Sequence, residues 1–227
     1  MPEAIFACVR CQAVYPACEK WCVSCGGFDC CVPVYQRAAD ALWRGGPREA
    51  TAAQLVGRRA ASFTSSTYPT LKVGPHSVVA IWGAPGSGKS TMLCKFLDGC
   101  EAPLLLSMEE GLSDSLITRL KRLEIHSDAF KVAVADTIDE IADLVERHQP
   151  SALGIDSLSV TTLKIGDVMR LSNAVGVPVV FVLHSTKGGE AAGAAGVLHA
   201  VDVVVEVSAL KWAVRKSRFT GLIGGEV

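Results

Sequence analysis

One stretch, residues 83–91, limits the fold of this chain more than any other. It reads Gly83-Ala84-Pro85-Gly86-Ser87-Gly88-Lys89-Ser90-Thr91 and fits the phosphate-binding pattern G-x-x-x-x-G-K-[ST]. The apolar run before it predicts a buried strand at residues 77–82, and the residues after it predict a helix at 91–97. Glycines let backbone N–H groups surround a phosphate at a helix N-terminus, whose dipole favours anions. We therefore predict a P-loop, with Lys89 on the β- and γ-phosphates of a nucleotide and the Ser90 hydroxyl on Mg²⁺.

Acidic residues follow two further apolar runs. The run at residues 103–107 ends shortly before Glu109 and Glu110, and the run Ala152–Asp156 ends on an acid. Ligands bind at the carboxyl ends of the strands in open parallel sheets. We expect Asp156 to hold Mg²⁺ directly or through a water, and Glu109 to polarise the water that attacks the γ-phosphate. Glu110 is the alternative, and both glutamates could instead be solvated acids in front of a helix.

The rest of this region alternates strands with helices. Strands are predicted at residues 130–134, 179–183 and 201–207, and helices at 112–123, 137–148 and 165–175. This alternation predicts an α/β fold with a mostly parallel sheet flanked by helices. His184 follows one of the strands at the same edge as the acids, where we expect a polar sensor of the nucleotide, the alternative being an ordinary polar histidine. Residues 211–220 predict a basic hairpin arm.

Composition and charge narrow the class of protein. Hydrophobic residues make up 49% of the 227, which is enough for one sizeable core and a small appendage. The longest purely apolar run, residues 177–183, is shorter than the roughly 20 residues that span a bilayer, and residues 1–3 begin no signal peptide. We expect a cytoplasmic protein without a membrane partner. A net charge of −1 gives no global attraction to nucleic acid, so such binding must use local patches.

Seven of the nine cysteines lie between residues 8 and 31. The pairs Cys8-x2-Cys11 and Cys22-x2-Cys25 have the spacing typical of a four-cysteine zinc ribbon, in which each pair supplies two thiolates to Zn²⁺. Cys18 or Cys30 could replace one of these ligands. We predict a zinc ribbon at residues 1–31, a linker with short helices at 32–70 and a nucleotide-binding domain at 71–227.

Several motifs, in order, resemble the RecA/DnaB ATPase superfamily and in particular the bacterial RadA family. Residues 21–26, Trp-Cys-Val-Ser-Cys-Gly, are similar to the second half of its zinc ribbon, and residues 184–187 resemble its H-V-T-K segment. Residues 193–202 resemble the A-G-P…L-E-H-M-V-D stretch that follows in the family. Residues 216–220 resemble its K-N-R-F-G motif, with Thr220 in place of glycine. The resemblance covers most of the chain. It implies a RecA-like core behind an N-terminal ribbon.

This resemblance implies an ATPase that forms a homo-oligomeric ring or filament, with a hexamer expected, and threads single-stranded DNA in recombination, repair or replication. Lys216 and Arg218 would reach the γ-phosphate of a neighbouring subunit. The glycine-rich loop at residues 187–196, with Lys187 as its cation, would contact DNA, and bound DNA would stimulate hydrolysis. We expect no protease-like C-terminal domain and a short segment between Asp156 and Val179, hence a compact relative from a phage or mobile element. The alternative is a nucleotide-switched regulatory or loader ATPase, KaiC-like, that acts on a protein partner.

Overall fold

The structure is a computed structural model that describes residues 5–8, 14–15, 31–34, 63–185, 199–219, 221 and 223–227. Backbone contacts divide the chain into two compact units, Met1–Ala60 with Asn173–Gly176, and Ala61–Ser172 with Val177–Val227. In the part of the chain that is described, no helix is both long and apolar enough to cross a membrane.

The first unit contains a small antiparallel sheet. Its strands are β1 Ile5–Cys8, β2 Val14–Tyr15 and β3 Cys31–Val34, in the order β2-β1-β3. Cys8, a predicted zinc ligand, lies opposite Cys31 in the β1–β3 register. The other predicted ligands, Cys11, Cys22 and Cys25, and the predicted linker helices lie outside the described residues.

The second unit is built on an eight-stranded sheet of order β13-β12-β11-β6-β10-β9-β7-β8, with a two-stranded β4–β5 hairpin. The strands are β4 Phe63–Thr64, β5 Lys72–Val73, β6 Val78–Gly83, β7 Pro103–Ser107, β8 Lys131–Ala133, β9 Ala152–Asp156, β10 Val179–His184, β11 Val203–Ser208, β12 Lys211–Ser217 and β13 Gly224–Glu226. The helices are α1 Lys89–Asp98, α2 Asp114–Arg122, α3 Ile138–His148 and α4 Ile165–Val175, with a 3₁₀ turn at Leu158–Val160.

The order of the parallel strands positions the site. Strands β11, β6, β10, β9, β7 and β8 pair in parallel, while β12 and β13 add an antiparallel edge. β10 lies between β6, which leads into the P-loop, and β9, which ends on Asp156. The predicted α/β fold with a mostly parallel sheet is confirmed. We call the ends of β6, β7, β9 and β10 at Gly83, Ser107, Asp156 and His184 the carboxyl edge.

Helix α1 packs its apolar side on the centre of this sheet. Met92, Leu93, Phe96 and Leu97 are buried, and the helix contacts β6, β7, β9 and β10. At Gly154 in β9, an added Cβ would lie 2.5 Å from the Leu97 Cδ1. The absence of a side chain there lets α1 approach β9, which brings the start of the helix close to the end of the strand.

Several predicted elements differ from the structure by one or two residues at their ends, and two differences have a clear physical reason. Helix α2 begins at Asp114 rather than at Leu112, because Ser113 is its N-cap residue and the Leu112 side chain, 65% exposed, has no core to pack on. The predicted basic hairpin arm is not an arm. Its first seven residues form β12 within the sheet, and Trp212 and Val214 are buried in the core, which explains why the segment joins the sheet. Residues 186–198, which include the predicted DNA-contacting loop, lie outside the described part.

Candidate active site

The P-loop joins β6 to α1 and has the open backbone that phosphate binding requires. Gly86 and Gly88 have φ of 74° and 106°, and Gly88 is the N-cap of α1 in a left-handed conformation. A Cβ at Gly86 would meet no atom within 4 Å, whereas a Cβ at Gly83 would lie 2.1 Å from the Val207 carbonyl oxygen. The absence of a side chain at Gly83 therefore lets the neighbouring strand approach, and the absence of one at Gly86 leaves the loop accessible to a ligand.

Two polar groups in the P-loop suit a phosphate. The Lys89 Nζ donates to the Ala84 carbonyl oxygen at 2.8 Å, so the side chain lies over its own loop. Burial lowers the pKa of Lys89, and the charges of Asp156 and Glu109 oppose that shift. The Ser87 Oγ is buried without a hydrogen-bond partner in the described part of the chain. An anion bound in the loop would supply a counter-charge to the lysine and an acceptor to the hydroxyl.

Ser90, at the end of the P-loop, and Asp156, at the end of β9, bring two side-chain oxygens together. The Ser90 hydroxyl donates to the Asp156 Oδ1 at 3.0 Å, and Asp156 is only 4% exposed. Burial raises the pKa of Asp156, while the hydrogen bond from Ser90 and the charge of Arg119 lower it. A hydroxyl and a carboxylate are the hard oxygen donors that Mg²⁺ binds alongside nucleotide phosphates, so this donor set fits the ion.

Glu109 and His184 meet at the carboxyl edge although they are far apart in sequence. The Met108 and Glu109 backbone N–H groups both donate to the Asp156 carbonyl oxygen, at 2.7 and 3.0 Å, which ties the residues after β7 to the end of β9. The His184 Nε2 lies 3.0 Å from the Glu109 Oε2 and 3.2 Å from the Ser157 Oγ. Because a carboxylate only accepts, the bond to Glu109 requires the proton to be on Nε2.

Arg119 is a site residue that the sequence does not reveal. Its Nη2 donates to the Glu110 Oε1 at 2.6 Å, and its Nη1 lies 3.4 Å from the Asp156 Oδ2. The two neighbouring glutamates are thus separated, with Glu109 on His184 and Glu110 on Arg119. An arginine on a polar helix has the same sequence signature whether it is solvated or turned inward, so no local pattern identifies it.

Lys216 and Arg218 lie at the opposite end of the strands, which we call the amino edge. Arg218 pairs with Asp202 at 2.9 Å, and the other oxygen of Asp202 accepts from the backbone N–H of Val78, the first residue of β6. The Lys216 Nζ donates to two backbone carbonyls of residues 199 and 201. β6 is six residues long, so the amino edge lies roughly 17 Å from the P-loop along the strand. The structure does not bring these two cations to the P-loop of their own chain.

The predicted zinc site cannot be placed in the same way. Within the ranges that the structure describes, no group of three or more His, Cys, Asp or Glu side chains is positioned to hold a metal ion. Three of the four predicted thiolate ligands lie outside those ranges.

The strand order and the carboxyl edge together define the class of fold. A P-loop strand separated from an acid-terminated strand by one further parallel strand, with acids at the shared edge, is an α/β core of the RecA-like P-loop NTPase type.

Comparisons with known proteins agree with this class. No protein-family model matches the chain. The chain is 27% identical to the DNA repair protein RadA of Pseudomonas aeruginosa over 89% of its own length, and 26% identical to that of Escherichia coli over 90%. It is also 31% identical, over 58% of its length, to the protein of the same name from Halalkalibacterium halodurans. The chain spans about half the length of the first two relatives, 51% and 52%. These similarities support a RadA-like protein with a RecA-type core.

Proposed function

We propose that this protein is an ATPase that hydrolyses ATP at the interfaces of a homo-oligomer and acts on single-stranded DNA in recombination, repair or replication. The convergence of the P-loop, the Ser90–Asp156 pair and Glu109 at one edge of the sheet carries the proposal. The similarity to DNA repair proteins over most of the chain supports the choice of pathway.

The residues at the carboxyl edge divide the chemistry among them. Lys89 and the loop backbone bind the β- and γ-phosphates, and Ser90 and Asp156 hold Mg²⁺, which when bound neutralises phosphate charge. Glu109 orients the attacking water and accepts its proton. His184, which contacts Glu109, senses whether the γ-phosphate is present and passes that state to the residues after β10.

The amino edge supplies the second half of the proposed active site, in trans. Lys216 and Arg218 lie a full strand length from the P-loop of their own chain, so a role on the γ-phosphate requires a neighbouring subunit. There an arginine would stabilise charge that develops in the transition state. We therefore propose a ring or filament, with a hexamer as the expected ring.

The zinc ribbon of the N-terminal unit is proposed from the sequence. The two Cys-x2-Cys pairs support a zinc ribbon at residues 1–31, joined by a linker to an ATPase domain at 71–227. Elemental analysis should find one Zn²⁺ per chain, and Cys8→Ser or Cys25→Ser should release it. Cys100→Ser is the matched control, because Cys100 is a free thiol at the end of α1. A folded wild-type protein without zinc would refute the ribbon.

The test of the proposed function is the rate of ATP hydrolysis with and without single-stranded DNA. We expect hydrolysis that DNA accelerates, and DNA binding that weakens as salt rises because phosphate contacts release counterions. Lys187→Ala should flatten that salt dependence while hydrolysis without DNA continues. An absence of ATP hydrolysis under both conditions would refute the enzyme assignment.

A second function has one observation in its favour. In the part of the chain that the structure describes, three exposed arginines, Arg170, Arg215 and Arg218, are paired with carboxylates, and the net charge of the chain is −1. Such a surface suits a regulatory or loader ATPase that binds a protein partner. Hydrolysis that DNA does not change, in a protein that binds no DNA, would favour this function.

A further inference from the structure

Arg119 joins two acids that come from different strands. It projects from α2, its side chain is 16% exposed, and it reaches Glu110 after β7 and Asp156 at the end of β9. One cation thus contacts two carboxylates. The planar guanidinium fork has the geometry to serve both at once.

The two oxygens of Asp156 have different partners. Oδ1 accepts from the Ser90 hydroxyl at 3.0 Å, and Oδ2 faces Arg119 at 3.4 Å. A carboxylate held from both sides cannot rotate about its χ2 bond without losing one contact. Arg119 therefore leaves Oδ1 directed toward Ser90 and the P-loop, where the proposed nucleotide would bind.

Arg119 also distinguishes the two adjacent glutamates. The Glu110 Oε1 receives the short contact from Arg119 and a longer one from the Ser115 hydroxyl at 3.4 Å. Glu109 instead contacts His184. Because Glu110 neutralises part of the guanidinium charge, Arg119 can face Asp156 without adding a full uncompensated cation to the site.

We propose that Arg119 is a positioning residue for magnesium: it fixes the Asp156 carboxylate in the orientation that binds Mg²⁺ with the nucleotide, and it keeps Glu110 out of the reaction. This inference rests on the proposed nucleotide site. Arg119 touches neither phosphate nor water in this role, and it acts through Asp156 and Glu110. A purely structural ion pair would instead stabilise α2 and leave the linkage between magnesium and nucleotide unchanged.

The effect of Mg²⁺ on the affinity for nucleotide distinguishes the positioning role from the structural one. Isothermal titration of ADP into the full chain, once with excess Mg²⁺ and once with EDTA, measures how much the ion strengthens nucleotide binding. For Arg119→Ala we expect the affinity in EDTA to stay near the wild-type value, because Lys89 and the loop hold the phosphates. We expect the strengthening by Mg²⁺ to fall about 10–100-fold, the usual loss when an outer partner of a metal ligand is removed.

Two further variants complete the test. Arg119→Lys keeps the charge but cannot contact both acids in the same way, so the gain from Mg²⁺ should again fall, by a smaller factor. This variant also serves if Arg119→Ala fails to fold. Arg170→Ala is the control, because Arg170 pairs with Asp167 on the surface of α4 and should leave both affinities unchanged.

The outcomes are distinguishable. Wild-type linkage in a folded Arg119→Ala or Arg119→Lys protein would overturn the positioning role and leave the proposed function intact. Equal losses with Mg²⁺ and with EDTA would also overturn it, since they would indicate damage to the whole site. A wild-type protein that binds no nucleotide under either condition would overturn the proposed function, and this inference with it.

Discussion

The two edges of the parallel sheet use their charged residues in different ways. At the carboxyl edge, side chains from separate elements lie within hydrogen-bond distance of one another, and a P-loop lysine and a P-loop hydroxyl retain capacity for a phosphate. At the amino edge, Arg218 is paired with Asp202, and Lys216 donates to backbone carbonyls of its own chain. The carboxyl edge thus offers polar groups to a ligand, whereas these contacts of the amino-edge cations lie within their own subunit.

This difference predicts that nucleotide binding and ATP hydrolysis depend on assembly to different degrees. In the proposed function, the groups that bind the nucleotide and magnesium all come from one chain, so binding should survive in an isolated subunit. The two amino-edge cations must leave their own contacts before they can act on a neighbour. Hydrolysis should therefore depend on assembly, whereas binding should not.

The largest effect on binding is expected at the carboxyl edge, from Lys89→Ala. The substitution removes charge-assisted hydrogen bonds to phosphate, each of which contributes about 1.5–3 kcal/mol, so nucleotide affinity should fall roughly a hundredfold or more. Lys95→Ala, in the last turn of the same helix, is the control. Titration calorimetry measures both, and equal affinities for the two variants would place the phosphate elsewhere.

Glu109→Gln should separate binding from turnover within the carboxyl edge. An amide still fills the position but cannot accept a proton, so the rate should fall by about 10²–10⁴ with little change in affinity. Glu110→Gln should cost less, about tenfold, because Glu110 acts only through Arg119. Steady-state ATPase assays decide the order. If Glu110→Gln proves the more damaging, then Glu110 is the acid that activates water.

A smaller effect is expected from the packing that supports the carboxyl edge. Gly154→Ala would place a Cβ against Leu97 and push α1 from β9, which overpacks the core and should cost about 1–3 kcal/mol of unfolding free energy. Gly166→Ala is the matched control, because a Cβ there meets no atom within 4 Å and alanine favours a helix by up to about 1 kcal/mol. Urea unfolding curves measure both. Equal midpoints for the two variants would show that the close approach of α1 to β9 is not needed.

The parallel core is predictable from sequence because its signals are local. The strands Pro103–Ser107 and Ala152–Asp156 have the predicted bounds, since each is a short apolar run that ends at polar residues. The helix Ile165–Val175 has them too, because Gly176, at a φ of 72°, follows its last residue. The start of α3 has a local cause as well, since the Thr137 hydroxyl accepts from the Glu140 backbone N–H at 3.3 Å and caps the helix. The strand β6, the P-loop and the helix α1 follow one another in the order that the motif predicts.

The features that the sequence does not predict depend on tertiary contacts. β13 is Gly-Gly-Glu, a segment with little strand propensity, and it exists because β12 supplies a partner. The basic segment after Lys211 becomes part of the sheet because Trp212 and Val214 find a core. Arg119 lies nine residues from Glu110 and 37 from Asp156, so only the folded chain brings the three together.

The central claim is that the two edges complete one active site between neighbouring subunits, and mixing two inactive variants tests it most directly. Arg218→Ala should bind ATP yet lose roughly 10³-fold or more in turnover, the usual contribution of an arginine finger. Arg215→Ala is the control, because Arg215 lies three residues earlier, on β12, and its side chain pairs with Glu206. When Arg218→Ala and Glu109→Gln proteins are combined, some interfaces pair an intact finger with an intact acid, and part of the ATPase activity should return. No recovery in a mixture shown to co-assemble would contradict this account and indicate that Arg218 acts within its own chain.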